Sequence, residues 1–224
     1  MTQKPFYKST LLSELPQIVH GFGTAGVPIE ELASGAVVHQ THQEHGAVVH
    51  VLGSDVSGDV LNGDAFITNT SGVACFVRTA DCMPILVVDP VAKAVGAIHA
   101  GWRSTTQRII RKTIAAMTEA FGCKPEDMYA AIGPAICGSC YEVGQDVVDA
   151  FLEHDLPADG RVLHKRNGKT LLNMEWAAEE LLTRAHIPRK HIDIIKRCTL
   201  EDPELASYRR DKTDVRQVSF VCLT

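Results

Sequence analysis

Four short apolar runs follow one another between residues 64 and 99, each separated from the next by only four residues. The runs are residues 64–68 (DAFIT), 73–79 (VACFVRT), 84–89 (PILVVD) and 94–99 (AVGAIH). Runs of this length that are rich in valine, isoleucine and phenylalanine are typical of strands, and Asp89-Pro90 marks a turn. We therefore expect a set of closely spaced strands with tight connections, which favours a fold built around a β-sheet.

Other segments add helices and more strands. Apolar residues recur at helical spacing from Ser104 to Phe121, and Gly122 follows where a helix commonly ends. Amphipathic helices are also predicted at residues 145–153 and 174–185. Further strands are predicted at residues 36–39, 47–52, 128–133, 192–196 and 217–223. We therefore predict an α+β fold, a single domain over residues 1–224, with mixed β-sheets layered with α-helices in an αββα-like sandwich.

The composition argues against several classes of protein. A formal net charge of −5 argues against a nonspecific nucleic-acid binder, because such proteins are normally basic. No segment approaches the roughly 20 apolar residues that span a membrane, and residues 1–12 lack the features of a signal peptide. Seven irregularly spaced cysteines then favour reduced thiols. We expect a cytoplasmic protein that binds neither nucleic acid nor membranes.

Two stretches are rich in residue types that bind metals. HQTHQEHG at residues 39–46 contains three histidines spaced by three, although each of them could also be an ordinary exposed or turn histidine. TADCMP at residues 79–84 places Cys82 directly after Asp81, at the start of a predicted buried strand. A lone cysteine is more commonly a small buried apolar residue. A carboxylate opposes the ionisation of a free thiol beside it, so the position of Cys82 next to Asp81 calls for an explanation.

The stretch AIHAGWRSTT at residues 97–106 could bind an anion. A strand is predicted to end at His99 and a helix to begin near Ser104. Backbone N–H groups at such a helix start, together with Arg103, favour negative charge. The alternative is an ordinary capped helix with Trp102 packed beneath it.

Two pairs of residues nearer the C-terminus carry weaker signals. Cys137-x-x-Cys140 is a moderate signal for zinc or redox chemistry, but no second pair completes a structural zinc site. Arg209 and Arg210 are adjacent, and two guanidinium groups suit phosphate or carboxylate. A solvated cluster of charges is the alternative for this pair.

Several motifs occur here in one order: GDAFIT, TADCMPILVVDP, HAGWRST, GPAI followed by CYEVG, CT, and SYRRDKT followed by RQ. In this arrangement the chain resembles the YfiH family, which was first named polyphenol oxidase or laccase domain and is now described as purine nucleoside phosphorylase. The resemblance runs from about residue 19 to the C-terminus. TADC followed by HAGWR is specific to this family.

The resemblance implies one zinc ion, bound by a histidine of a Q-x-H-G motif, the cysteine of TADC and the histidine of HAGW. The last two correspond to Cys82 and His99. The first corresponds to His45, which keeps the following glycine, with His42 as the alternative. Two imidazoles and a thiolate leave an open position on a tetrahedral zinc ion, which is the catalytic pattern. Asp81 could then hydrogen-bond to a ligand or the substrate, or carry a proton.

The resemblance also implies phosphorolysis of adenosine, inosine and 5′-methylthioadenosine, and hydrolytic deamination of adenosine. The expected partners are therefore a small-molecule nucleoside and phosphate. Phosphorolysis needs a phosphate aimed at C1′ of the ribose, whereas deamination needs a zinc-activated water and a proton shuttle. We take Arg103 and Arg210 as catalytic candidates beside Asp81 and Cys82. Arg209 is the alternative to Arg210 for contacts with phosphate or ribose.

The chain departs from the family pattern in three places. The usual H-G-F-S-T-R is HGFGTA at residues 20–25, so Ala25 replaces an arginine. The usual L-D-L is LNM at residues 172–174, and the usual T-G-R-Q is DVRQ at residues 214–217. These changes leave the metal ligands intact and the choice of substrate open.

Three other functions fit part of the pattern. The chain could be a cysteine hydrolase that edits a cell-wall precursor. Cys82 and His99 would then be its nucleophile and base, and Asp81 would orient the histidine. A copper-binding polyphenol oxidoreductase would need H-x-H pairs that the chain lacks, although Cu²⁺ could enter a His/Cys site in vitro. A binding protein with a vestigial site is the third alternative, because of Ala25.

Overall fold

The computed structural model describes residues 6–55 and 58–224, which form fifteen β-strands and seven α-helices. The strands are β1 Phe6–Tyr7, β2 Ile18–Gly23, β3 Thr41–His42, β4 Val49–Val51, β5 Leu61–Asn62, β6 Ala65–Thr68, β7 Ala74–Thr79, β8 Met83–Asp89, β9 Ala94–Ala100, β10 Tyr129–Ile132, β11 Glu142–Val143, β12 Leu163–Arg166, β13 Lys169–Leu172, β14 Ile192–Ile194 and β15 Gln217–Leu223. The helices are α1 Thr10–Ser13, α2 Ile29–Leu32, α3 Trp102–Thr106, α4 Ile109–Phe121, α5 Gln145–Glu153, α6 Met174–Arg184 and α7 Tyr208–Asp211.

A six-stranded mixed sheet forms the centre of the fold, in the order β14-β10-β8-β9-β6-β4. Its middle strands, β8 and β9, pair antiparallel and are buried along their whole length. Side chains alternate along β8, so that Ile85 and Val87 face the helices while Leu86 and Val88 face a second sheet. Burial on both faces explains why β8 is a continuous apolar run instead of an alternating one.

The second sheet has four antiparallel strands in the order β1-β2-β15-β7. It packs against the first sheet through Phe22 of β2, Val77 of β7 and Val221 of β15. These side chains meet Leu86 and Val88 in one apolar cluster between the two sheets. The two-residue strands β3 and β5 and the three strands β11, β13 and β12 form two smaller sheets.

Helices cover the two outer faces. On the six-stranded sheet, α4 buries Ile114 and Met117 in a cluster shared with α5 and α6. On the four-stranded sheet, α2 packs Ile29 against Phe220 of β15. The layer order is helix, sheet, sheet, helix, which confirms the predicted α+β class with its αββα-like layers.

Two predicted elements differ in the structure. The prediction of a strand at residues 36–39 is wrong, because within this segment Val37 makes only an isolated bridge to Val73. The single helix predicted from Ser104 to Phe121 is two helices, α3 and α4. Arg108 lies between them in a left-handed conformation with φ of 67°, which interrupts the helical hydrogen bonds. As predicted, Gly122 ends α4, with φ of 70°.

The sequence analysis also missed β2 and the hairpin of β12 and β13. β2 contains Gly21 and Gly23, and glycine is poorly represented in strands. The hairpin is largely polar, but its two-residue turn is Asn167-Gly168, whose φ values of 51° and 75° suit a tight hairpin. The Asn-Gly signal was therefore present in the sequence.

Within the described part of the chain, every helix is too short or too polar to cross a lipid bilayer. The prediction that residues 1–12 lack the features of a signal peptide falls partly on residues 1–5, which lie outside the described residues.

Candidate metal centre

Two paired strands bring Cys82 and His99 to the same end of the six-stranded sheet. Cys82 directly precedes β8, and His99 lies in β9 opposite Pro84 in the antiparallel register. His45 lies in the loop after β3, with a left-handed φ of 58°. The ligand atoms of His45, Cys82 and His99 all lie within 4.8 Å of one another. The structure therefore brings together three side chains that are distant in the sequence.

The spacing within this cluster suits a metal ion. Cys82 Sγ lies 3.9 Å from His45 Nε2, and the rings of His45 and His99 meet edge to face with centroids 4.7 Å apart. A tetrahedral zinc ion with ordinary bond lengths separates a sulfur and a nitrogen ligand by about 3.6 Å. Only a small adjustment would therefore place all three atoms at bonding distance from one ion.

The buried carboxylate of Asp64 holds two of the three ligands in place. Its Oδ1 accepts hydrogen bonds from Nδ1 of His99 at 2.7 Å and from the backbone N–H of His45 at 3.0 Å. Its Oδ2 accepts from the backbone N–H of Gly46 at 2.7 Å. The bond to Nδ1 leaves Nε2 of His99 free for a metal, as is usual for histidine ligands. Burial raises the pKa of Asp64, but the hydrogen bonds from His99 and Gly46 outweigh burial and lower the pKa below its ordinary value. The carboxylate therefore stays ionised.

Sequence reasoning did not give Asp64 a role. The available signal was the motif GDAFIT, whose aspartate interrupts an otherwise apolar run. A buried charged residue in such a run needs a partner, and here the partners are His99 and the loop at residues 44–46.

The charges of Cys82 and His99 depend on each other. Burial raises the pKa of Cys82, but the charge of His99 and hydrogen bonds from both histidines outweigh it and lower the pKa to about 6. Burial lowers the pKa of His99, but the Cys82 thiolate and Asp64 raise it to about 9. Without a metal, the two side chains are therefore a thiolate and an imidazolium at neutral pH. The thiolate is the form of cysteine that binds metals.

Gly101 allows the cluster to close. A Cβ atom at this position would lie 3.0 Å from Cys82 Sγ and 3.2 Å from Cδ2 of His45. Any side chain there would therefore crowd both Cys82 and His45. This contact gives the physical reason for the glycine in the HAGW motif.

A cavity of about 550 Å³ opens over the three ligand atoms. This volume is typical of sites for small organic ligands. Four arginines and three large aromatic side chains line its walls: Arg78, Arg103, Arg209 and Arg216, with Trp102, Tyr141 and Tyr208. Because the whole chain has a net charge of −5, this concentration of positive charge is local. The cavity thus combines an anion-binding wall with aromatic surfaces.

The structure separates the two candidates for the first ligand. His42 lies in β3 and lines the same cavity, but it does not belong to the three-ligand cluster. His45 lies 3.9 Å from Cys82 Sγ. The geometry therefore favours His45 as the ligand and leaves His42 at the cavity wall.

The carboxylate of Asp81 faces the C-terminal segment. Its Oδ1 accepts hydrogen bonds from the hydroxyls of Thr199 and Ser207, each at 2.7 Å. Its Oδ2 accepts from the backbone N–H of Arg209, also at 2.7 Å. Both carboxylate oxygens are thus engaged by the protein. This arrangement suits a residue that positions Arg209, whereas the sequence suggested a contact with substrate or a proton carrier.

Two of the predicted arginines line the cavity. The guanidinium carbon of Arg103 lies 4.3 Å from the centre of the Trp102 ring. Arg209 donates two hydrogen bonds to the carbonyl oxygen of Glu142, at 3.1 and 3.2 Å. Both side chains are therefore held in place at the cavity wall.

Arg210 departs from the prediction. Its guanidinium donates to the carbonyl oxygens of Thr199 and Leu205 at 2.7 and 2.8 Å, and to the carboxylate of Asp211 at 2.8 Å. These bonds turn the side chain into the loop that precedes α7. Arg210 is not among the cavity-lining residues, so its placement supports a structural role.

The structure shows what the residues do at two places where the chain departs from the family pattern. Asn173 caps α6, because its Oδ1 accepts the backbone N–H of Trp176 at 3.1 Å, as an aspartate would. The segment at Ala25 lies beside Arg216, since the N–H of Gly26 donates to the carbonyl oxygen of Arg216 at 2.9 Å. Arg216 itself lines the cavity. Positive charge therefore reaches the cavity from residue 216.

The donor set fits a borderline divalent metal ion. Two imidazole nitrogens and one thiolate are ligands that both Zn²⁺ and Cu²⁺ accept. Three protein ligands leave a position open on the cavity side, as in catalytic zinc sites.

Comparison with known proteins supports a family assignment. A family model described as multi-copper polyphenol oxidoreductase laccase matches residues 28–224. A purine nucleoside phosphorylase of Deinococcus radiodurans is 40% identical over 170 residues, which are 76% of this chain and 63% of that protein. Adenosine deaminase RL5, from an unknown prokaryotic organism, is 34% identical over 180 residues, covering 78% of this chain and 67% of that protein. This chain thus spans slightly under two thirds of the Deinococcus relative.

The fold is similar to that of the YfiH protein of Bacillus licheniformis, whose crystal structure aligns with a TM-score of 0.85. The alignment covers 99% of this chain and all of that chain at 24% identity, which shows the fold alone. The family model covers most of this chain and includes all three ligand residues. From the matched motifs, the model and the fold together, the chain belongs to the YfiH family.

Proposed function

We propose that this chain is a zinc-dependent enzyme that cleaves purine nucleosides by phosphorolysis, with adenosine, inosine and 5′-methylthioadenosine as substrates. The observation that carries the proposal is the open three-ligand cluster at the wall of an arginine-lined cavity. The name of the Deinococcus relative supports the reaction. The partners would be the nucleoside and phosphate, and the expected compartment is the cytoplasm.

The arginines of the cavity would bind the phosphate. Guanidinium groups bind phosphate oxygens through paired hydrogen bonds. Arg103 comes from α3, Arg209 from α7 and Arg216 from the segment before β15. Groups from three separate elements would fix both the position and the orientation of phosphate, which is what attack at C1′ requires.

The aromatic side chains would hold the nucleoside. Trp102, Tyr141 and Tyr208 offer faces for the purine ring. Burial raises the pKa of Tyr141 to about 12, with a further contribution from the charge of Cys82. Its phenol therefore keeps its proton at neutral pH, and the O–H can donate to a purine nitrogen as the base departs.

His45, Cys82 and His99 would hold the zinc ion, and Asp64 would orient His99 and the loop of His45. When bound, zinc supplies a Lewis acid that polarises a group of the substrate. Cu²⁺ could occupy the same ligands in vitro. A multicopper oxidase is disfavoured, because the two candidate metal clusters among the described residues contain only two histidines between them.

Deamination of adenosine is a second candidate activity, since one relative carries that name. It needs a proton shuttle beside the metal. Asp81 is the carboxylate next to Cys82 in sequence, and both of its oxygens accept hydrogen bonds from the protein. This arrangement favours phosphorolysis as the main reaction.

The cysteine hydrolase keeps a specific observation in its favour. Cys82 and His99 form a thiolate and imidazolium pair, and Asp64, in place of Asp81, orients the histidine. However, a nucleophile and base do not require His45, whose Nε2 lies 3.9 Å from Cys82 Sγ. A third ligand at this distance favours a metal.

The test is chromatography of the products formed from adenosine, with and without phosphate, by the zinc-loaded full chain. Adenine and ribose 1-phosphate that appear only with phosphate would support the proposal. Inosine would support deamination instead. No product, or activity that survives complete removal of metal and is blocked by alkylation of Cys82, would refute a zinc phosphorylase. His99→Gln should abolish the phosphate-dependent activity, whereas His154→Gln, which alters an exposed histidine at the end of α5, should retain it.

A further inference from the structure

A second group of potential metal ligands lies outside the cavity. The ligand atoms of Cys137, Cys140, Cys198 and Glu201 all lie within 4.8 Å of one another. Cys137 and Cys140 are the C-x-x-C pair of the sequence, which lacked a partner there. The structure supplies the partner from Cys198-x-x-Glu201, a segment with the same spacing of potential ligands.

The backbone holds these two segments together independently of any metal. Ala135 and Cys198 form a parallel bridge, and the N–H of Thr199 donates to the carbonyl oxygen of Ala135 at 3.0 Å. Each segment then turns back on itself: the N–H of Cys140 donates to the carbonyl of Cys137, and that of Asp202 to the carbonyl of Cys198, both at 2.9 Å. The four ligand side chains therefore converge because the backbone is already folded.

The distances within the group match the needs of a tetrahedral thiolate site. Cys140 Sγ lies 3.4 Å from Oε1 of Glu201, and a sulfur and an oxygen ligand of one tetrahedral zinc ion lie about 3.5 Å apart. The backbone N–H of Cys137 donates to Sγ of Cys198 at 3.3 Å. Hydrogen bonds to ligand sulfurs are characteristic of the surroundings of metal-bound thiolates.

We propose that Cys137, Cys140, Cys198 and Glu201 form a second metal site, which binds one Zn²⁺ ion and has a structural role. Three thiolates and a carboxylate complete a tetrahedron without an open position. None of the four residues is among those that line the cavity. The site therefore lacks the open coordination position of a catalytic metal and lies outside the cavity.

The proposed site is connected to the first centre through Asp81. The N–H of Ile136, next to Cys137, donates to the carbonyl oxygen of Asp81 at 3.0 Å. The hydroxyl of Thr199, next to Cys198, donates to its carboxylate at 2.7 Å. Asp81 in turn precedes the ligand Cys82 and binds the N–H of Arg209. A metal in the second site would thus fix the loops that support the wall of the cavity.

The test is metal analysis of the full chain, loaded with zinc under reducing conditions and then freed of unbound metal. Two zinc ions per chain are expected for the natural sequence, one for Cys82→Ala and one for the double variant Cys137→Ser, Cys198→Ser. Cys123→Ala, which changes a buried cysteine of neither cluster, should keep two. One zinc in the natural chain and none in Cys82→Ala would overturn the proposal.

A second measurement covers the case in which the double variant does not fold. Cys82→Ala protein loaded with Co²⁺ should show strong thiolate-to-cobalt absorption, and zinc should protect Cys137, Cys140 and Cys198 from iodoacetamide until a chelator is added. Equal labelling with and without zinc would overturn the proposal, and so would a disulfide among these three cysteines in the reduced preparation. Neither readout depends on nucleoside turnover, so the proposed function and the second site can fail separately.

Discussion

The cluster of His45, Cys82 and His99 and the cluster around Cys137 use similar ligands in different surroundings. The first has three ligands, lies at the wall of the cavity and is backed by the buried carboxylate of Asp64. The second has four ligands, lies in two loops and does not line the cavity. In the two proposals, the number of ligands and their position relative to the cavity, more than the type of ligand, separate the reactive centre from the structural one.

The largest expected difference is in catalysis. Cys82→Ser should lower kcat/KM for phosphorolysis by at least about a thousand-fold, or about 4 kcal/mol of transition-state stabilisation, because it removes a ligand of the reactive metal. Cys198→Ser should lower it by less than about ten-fold, since its effect reaches the cavity indirectly, through neighbours such as Thr199 and Asp81. Steady-state kinetics at saturating zinc measure both. Equal losses in the two variants would remove the distinction between the clusters.

The next largest difference is in thiol reactivity of the metal-free protein. The pKa of Cys82 is lowered to about 6, despite burial, by His99 and His45, whereas burial and the neighbouring thiol Cys137 raise that of Cys140 to about 12. At pH 7 Cys82 is therefore a thiolate and Cys140 a thiol. After correction for the lower nucleophilicity of an acidic thiolate, Cys82 should be alkylated on the order of a hundred-fold faster.

Mass spectrometry of iodoacetamide labelling from pH 5 to pH 9 measures these rates. The rate at Cys82 should rise with pH and reach half its maximum near pH 6, because the folded pKa lies below that of a free thiol. A rate at Cys82 that still climbs above pH 8 would show an ordinary thiol and would contradict the thiolate and imidazolium pair.

Asp64→Asn should weaken zinc binding at the first centre by about 10- to 100-fold and leave the second unchanged. The substitution keeps the size of the side chain but removes the charge that orients His99. Competition with a chromogenic chelator measures the two affinities. Asp89→Asn is the matched control, because Asp89 is also buried and accepts backbone N–H groups but lies in neither cluster. A similar loss in both variants would point to general destabilisation.

The smallest expected effects separate two adjacent arginines. Arg209→Ala should raise the KM for phosphate about ten-fold, or about 1.4 kcal/mol, with little change in Tm. Arg210→Ala should lower the unfolding free energy by about 2 kcal/mol, because it leaves carbonyl oxygens of the loop before α7 without their donor, and should change KM less. Phosphate-dependent kinetics and thermal unfolding distinguish the two. A large rise in KM for Arg210→Ala, with a loss of stability for Arg209→Ala, would contradict these roles and would support Arg210 as the residue that binds phosphate.

Elements with a strong local pattern were predictable. The helix predicted at residues 145–153 and the strand predicted at residues 217–223 have the same bounds in the structure, as α5 and β15. Elements that depend on distant partners were not. β2 forms because β1 and β15 pair with its two edges. Its glycines lower its strand propensity, so the sequence alone did not predict it.

The candidate site divides in the same way. Cys82 and His99 follow from the TADC and HAGW motifs through the family resemblance. His45 and His42 have equal chemistry, and only the path of the loop, tied to Asp64, shows which imidazole comes near Cys82. Cys198 is far from the C-x-x-C pair in sequence, so its contribution to the second cluster was invisible.

By itself, the sequence determined the layered α+β class, because periodicity is a local property, and its motifs, through the family resemblance, pointed to Cys82 and His99 and to arginines near the candidate site. The tertiary structure alone decided that Arg209 and not Arg210 enters the cavity. Successive residues on a helix point about 100° apart, and the hydrogen bond from the N–H of Arg209 to Asp81 sets which one faces the cavity. Local pattern identifies candidate residues, and long-range contacts of this kind decide which way their side chains point.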